Sequence, residues 1–268
     1  MIASIERAAR AGGRFGAHRL TFIAAAALVA AACGTEDAAD PLAPSGPAGR
    51  IRFVNLITDP TRNPVNAILE GVPFGVGLGY TQSTPATLPA PSTANYSAVL
   101  AGDRTIVLKR TADTTVTVGT LNISVAANND YTVFATGGTG GSAVTAFLTG
   151  DVNTPVPTGQ VRIRVVNMSP AAGTVDVFIT APNADLATAT PAATALAIRT
   201  IFPGVTVAPG SYQVRTVPAG TPPAGRAAAV NTSFTTPAAI AAGGSRTIVL
   251  ADAPAGGAPP RSFQLTDQ

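Results

Sequence analysis

The sequence predicts an all-β chain: two tandem immunoglobulin-like or transthyretin-like β-sandwich domains, preceded by a cleaved helical signal peptide and a disordered tether. Three observations carry this. Short runs rich in Val, Ile and Thr alternate apolar and polar residues with a period of two. Examples are Ile51 and Phe53 with Arg50 and Arg52, Tyr131, Val133 and Ala135 with Thr132 and Phe134, and Val175, Val177 and Ile179 with Asp176 and Phe178. Next, 27 glycines and 23 prolines punctuate the chain, and no segment beyond the leader sustains a helical period. Finally, the pattern occurs twice. Arg50-Ile-Arg-Phe-Val-Asn55 returns as Arg162-Ile-Arg-Val-Val-Asn167, Pro64–Ile68 as Thr174–Phe178, Ala126–Phe134 as Ala241–Val249, and Phe147–Asp151 as Phe263–Asp267. The spacing between counterparts is nearly constant, as expected when loops vary in length and strands do not.

The elements follow in order. Residues 1–32 read as a lipoprotein signal peptide: Arg7, Arg10, Arg14 and Arg19 precede the apolar run Leu20–Ala32, which is too short to span a bilayer. Cys33, the only cysteine, stands at the cut and is the expected lipidation site, although Ala30 occupies the place where such leaders usually carry Leu. Gly34 rather than Asp follows it, which by the sorting rule for such lipoproteins points to the outer membrane. Residues 33–49, with Glu36, Asp37, Asp40 and several Pro and Gly, have little to bury and read as a flexible tether. A coil of this length reaches roughly 20 Å.

The first sandwich is expected over residues 50–152, with turns at Ala101-Gly-Asp103 and Asn128-Asn-Asp130, and the second over 160–268, with a turn at Pro209-Gly210. Asn153-Thr-Pro-Val-Pro-Thr-Gly159 separates them, and each unit is long enough to bury one core and to fold independently. The Gly-rich stretches 71–79 and 136–141 lack the pattern of a phosphate loop and read as hairpin connections. In the repeat-opening strands, alternation puts Ile51, Phe53, Ile163 and Val165 inward and Arg52 and Arg164 in water. On that register Phe53→Ala costs about 3–5 kcal/mol, and Arg52→Ala costs almost nothing.

Composition removes several chemistries. The formal charge of +3 belongs to the leader, since from Cys33 onward 13 basic residues face 13 acidic ones. No basic patch speaks for nucleic acid, and no nucleic-acid partner is expected. The single histidine, His18, also lies in the leader, and the chain has no tryptophan. A Ser-His-Asp triad, a His zinc site and a disulfide are therefore excluded from the mature chain. Isolated aspartates such as Asp59, Asp113 and Asp185 form no calcium loop. No catalytic residue, cofactor or metal ligand is expected.

Four duplicated polar residues are the candidate surface contacts. Asn55 and Asn167 close equivalent strands and fit either a ligand contact or an Asx turn that staples the following loop. Arg52 and Arg164 could grip a carboxylate or phosphate from a sheet face, or stand as solvated outer-face residues.

The segments Val161–Pro170, Thr174–Phe178 and Ala208–Val214, with Arg50–Asn55, Ala101–Ile106 and Asp130–Phe134 in the first copy, resemble the domain of unknown function DUF4397. This domain occurs in exported bacterial proteins, often as tandem copies behind a lipoprotein leader. The first copy departs from the pattern after Asn55, where Leu56-Ile-Thr-Asp-Pro60 replaces Met-Ser-Pro. The resemblance covers roughly residues 50–268 and implies β-sandwiches at the cell envelope, with no assigned activity. The reading is thus a lipid-anchored envelope protein, held to the membrane by its N-terminal lipid, with a non-catalytic binding or structural role toward a glycan or an envelope protein. The alternatives are a glycan-processing enzyme using Asp carboxylates and an accessory factor for envelope assembly or secretion.

Overall fold

The computed structural model describes residues 46–84 and 96–267; the leader, Cys33 and the tether up to residue 45 lie outside them. Wherever β-branched residues alternate between turn formers, a strand forms. In the first repeat these are β1 (Ala48–Ile57), β2 (Val65–Leu69), β3 (Val72–Leu78), β4 (Ser97–Leu100), β5 (Gly102–Arg110), β6 (Asp113–Val125), β7 (Asp130–Gly137) and β8 (Val144–Asp151). In the second they are β9 (Val161–Asn167), β10 (Val175–Thr180), β11 (Ala193–Leu196), β12 (Thr200–Val207), β13 (Gln213–Pro218), β14 (Thr232–Thr235), β15 (Ser245–Ala251) and β16 (Arg261–Thr266). The first strand begins at Ala48, inside the expected tether, because Ala48 and Gly49 pair with Leu100 and Val99. Gly49 is required there: a Cβ would lie 2.6 Å from the Ala126 carbonyl oxygen.

Four four-stranded sheets result, with orders β4-β1-β7-β8, β3-β2-β5-β6, β12-β9-β15-β16 and β11-β10-β13-β14. The second repeat reproduces the first strand for strand, so the duplication read from sequence is a duplication of two β-sandwiches. The chain crosses between sheets after β1, β3, β4 and β6. As a result β1 and β7 run parallel, as do β9 and β15, while the other pairings are antiparallel. Irregularities fall where glycine permits them. In β12 the register shifts between Phe202 and Val205, and Gly204 there has φ 111°, with the Ile163 carbonyl 2.8 Å from where a Cβ would stand. The stretch 71–79, expected as a connection, is mostly β3; the turn itself is Glu70-Gly71, both at positive φ. The stretch 136–141 does join β7 to β8.

Each sandwich has its own core. Ile51, Phe53, Ile57, Ile106, Leu108, Leu121 and Val133 pack in the first, and Val161, Ile163, Val165, Val175, Val177, Ile248 and Leu250 in the second. Fully burying such a side chain stabilises by about 1.5–3 kcal/mol. A third cluster joins the repeats: Val54, Leu56 and Phe134 from the first pack with Val166, Met168, Val249, Ala251 and Leu265 from the second. These residues occupy the faces of β1, β7, β9, β15 and β16 opposite to the sandwich cores, with Met168 just beyond the end of β9. The sheet containing β1 and the sheet containing β9 therefore meet back to back, and their central strands are covered on both sides.

Candidate functional site

That back-to-back seam decides the fate of the candidate residues. Arg52, Arg164, Asn55 and Asn167, expected at the surface, are all buried; Arg52 is 2% and Arg164 1% exposed. Period-two alternation puts both arginines on the face away from the core, and that face is covered by the other repeat. Arg52 stands in register with Thr132 of β7, and Arg164 with Thr247 of β15.

Each arginine reaches across the seam. Arg52 Nη2 donates to Asp267 Oδ1 at 2.9 Å, and its Nη1 donates to the Thr266 carbonyl at 2.9 Å. Arg164 Nη1 donates to Asp151 Oδ1 at 3.0 Å, and its Nη2 to the Gly150 carbonyl at 3.3 Å. The opening strand of each repeat thus grips the end of the last strand of the other, in a reciprocal pattern. The second carboxylate oxygens are held at home. Thr132 Oγ1 (2.5 Å) and the Tyr96 hydroxyl (2.9 Å) donate to Asp151 Oδ2, while Thr247 Oγ1 (2.8 Å) and Ser245 Oγ (3.3 Å) donate to Asp267 Oδ2. Arg52 also lies over the Tyr96 ring, 4.8 Å from its centroid. Burial pushes the Tyr96 phenol well above its usual range, so it remains a protonated donor. Two guanidinium groups and two carboxylates make a neutral cluster, the condition under which charges tolerate loss of water.

Both asparagines are loop staples, as the Asx-turn reading expected. Asn55 Oδ1 accepts from the Ile57 N–H and its amide donates to Asn63 Oδ1 and the Leu78 carbonyl. Asn167 Oδ1 accepts from the Ser169 N–H and its amide donates to the Gly173 and Leu196 carbonyls. Sequence reasoning missed Asp151, Asp267, Thr132, Thr247 and Tyr96. A signal for four of them was present: Arg, Thr and Asp recur at matching places in both copies, and Val54, Leu56, Val166 and Met168 make the supposed outer face apolar.

Beside the seam, the segment between repeats is tied down. Arg50 donates through Nε and Nη2 to Asp130 at 2.6 and 2.5 Å, the Asn153 amide donates to the same carboxylate, and Arg162 Nη1 donates to the Val152 and Thr154 carbonyls. Arg50, Asp130, Val152, Asn153 and Thr154 border a polar cleft of about 520 Å³. Elsewhere, loop carboxylates serve their own turns. Asp59 accepts from the Thr61 hydroxyl and N–H, and Asp113 from those of Thr115, which lowers the pKa of both. Among the described residues no group of three or more His, Cys, Asp or Glu could hold a metal ion.

Residues 49–178 match the family model described as Domain of unknown function (DUF4397), a span running from β1 through β10 and so covering the first repeat and the opening of the second. None of the curated proteins matches the chain. Among solved structures, a leucine-rich repeat protein from Bacteroides thetaiotaomicron VPI-5482 is similar over 78% of this chain, at 13% identity and a TM-score of 0.16. This chain spans 26% of that protein, and the likeness carries no argument.

Proposed function

This chain belongs to the DUF4397 family through residues 49–178, and from that premise we propose a lipid-anchored cell-envelope protein, at the outer membrane, with a non-catalytic binding or structural role. The observation that carries the non-catalytic part is the seam. The two aspartates that the fold brings together, Asp151 and Asp267, are buried, each bound by a guanidinium and by hydroxyls. A glycosidase pair must instead stand open to the substrate and divide the roles of acid and base or nucleophile. The arrangement supports a body with its repeats in fixed register, presenting its outer surfaces to a glycan or an envelope protein. The anchor rests on Cys33 behind the apolar run, and that residue lies outside the described structure.

The experiment takes both parts together. Wild type should incorporate an alkyne fatty acid and sediment with membranes, whereas Cys33→Ser should be unlabelled and released. An unlabelled wild type overturns the anchor. The released protein, incubated with purified envelope glycan, should leave its chain length unchanged; shortening that disappears in Asp151→Asn, with the fold intact, would restore the glycan-processing alternative.

A further inference from the structure

At the far end of the seam from the Arg–Asp cluster, the two repeats leave a cleft of about 260 Å³ between them. Its floor is apolar: Leu56 and Met168, which are counterparts in the duplication, with Ala251, all buried. Tyr80 forms part of the wall, its hydroxyl donating to the Asp252 carbonyl at 2.6 Å. Arg199 stands at the lip. Its backbone has φ 57°, a strained value for a residue with a side chain, and its N–H donates to the Asn167 carbonyl at 2.7 Å. Its Nη2 reaches the other repeat, donating to Thr145 Oγ1 at 2.7 Å and Thr136 Oγ1 at 3.0 Å.

Arg261 adds a second cation beside the cleft, next to the lining residues Ala251 and Tyr80 rather than in the lining itself. It is paired directly opposite Ala251, so its side chain leaves the sheet on the face that forms the floor, and it lies close enough to Tyr80 to oppose the rise that burial causes in the phenol's pKa. Among the described residues neither Arg199 nor Arg261 has an ion pair. The acidic lining residue, Asp252, already accepts from Ser169 Oγ, the Ala171 N–H and the Gly257 N–H. The wider field agrees: residues 160–268 hold seven arginines and four aspartates, whereas residues 50–152 hold six charges of each sign. At about 30 Å³ per water-sized group the cleft takes about nine non-hydrogen atoms.

We propose that this cleft binds a small amphiphilic anion, an acyl carboxylate whose chain lies on Leu56, Met168 and Ala251 and whose carboxylate meets Arg199 and Arg261. Apolar concavity with a few convergent polar groups, placed where two domains meet, is the usual form of a small-ligand site. The assignment rests on the binding role proposed above and names the ligand class.

The test uses the chain from residue 33 to 268 carrying Cys33→Ser, with hexanoate as the probe and methyl NMR of Met168 and Leu56 as the reporter. Hexanoate should saturate these shifts with one site, and hexanol should bind at least about tenfold more weakly. Arg199→Gln and Arg261→Gln should each weaken hexanoate roughly tenfold, with Arg199→Lys recovering part of the loss. Both arginines are exposed, so unchanged melts are expected for these variants. Shifts that do not saturate, that fall outside the seam, or that persist with full affinity in the doubly substituted protein overturn the site. If hexanoate fails while Cys33 is acylated and holds the protein on membranes, the cleft assignment falls and the anchored module stands.

Discussion

Arg164→Ala should destabilise the folded chain by about 3–5 kcal/mol. The change removes the cation that faces Asp151 and leaves that carboxylate buried, with only the Thr132 and Tyr96 hydroxyls and the more distant Arg52, 3.6 Å away, for compensation. Arg52→Ala should follow for the same reason, since it removes the guanidinium that faces the buried Asp267 carboxylate at 2.9 Å. Urea melts measure both. A double-mutant cycle of Arg164→Ala with Asp151→Asn should show a cost below the sum of the single changes, because removing both charges leaves neither stranded. Losses under 1 kcal/mol for both arginines would show that the cluster is not anchored as the geometry requires. The pair of bridges need not add net stability over a well-packed apolar seam; its expected contribution is register, because a slide or rotation of one sheet on the other separates both ion pairs at once.

Phe134→Ala should cost about 3–5 kcal/mol, and its effect should extend beyond the repeat that contains it. Phe134 is fully buried on the seam side of β7, stacked on Phe147 with ring centroids 6.3 Å apart, within the cluster that includes Val166, Val249 and Leu265 of the second repeat. A cavity there weakens the packing of both sandwiches. Native-state amide exchange should therefore accelerate in β15 as well as β7, and wild type should melt in one transition. Acceleration confined to the first repeat, or two separate transitions in wild type, would mean that the sandwiches are independent bodies that merely touch. The expectation of two independently folding units, drawn from the Pro-rich segment 153–159, competes directly with this one.

Much of the fold was legible because the signals are local. Period-two alternation exposed the strands, Gly and Pro exposed the turns, and the recurrence of Arg-Ile-Arg at residues 50–52 and 162–164 exposed the duplication. Asn55 and Asn167 were readable as turn staples because an Asx turn needs only the backbone two residues on. Alternation turns Arg52 and Arg164 opposite to Ile51 and Ile163, but what meets them there is the other repeat and not water. Alternation assigns a side chain to a face of the sheet; it does not say what lies against that face.

Composition and pattern along the chain thus set the strands, their inward faces, the two-copy architecture and the chemistries that a chain with His18 as its one histidine must forgo. The tertiary structure alone decided that the outer faces of the two copies cover one another. This turned two expected surface arginines into the centre of a neutral buried cluster and opened a cleft at the other end of the same seam. The physical reason is range. Strand pairing within a repeat follows from neighbours along the chain and from the pleat. The partners of Arg52 across the seam are Thr266 and Asp267, more than two hundred residues away, and only the docking of whole sheets brings them together.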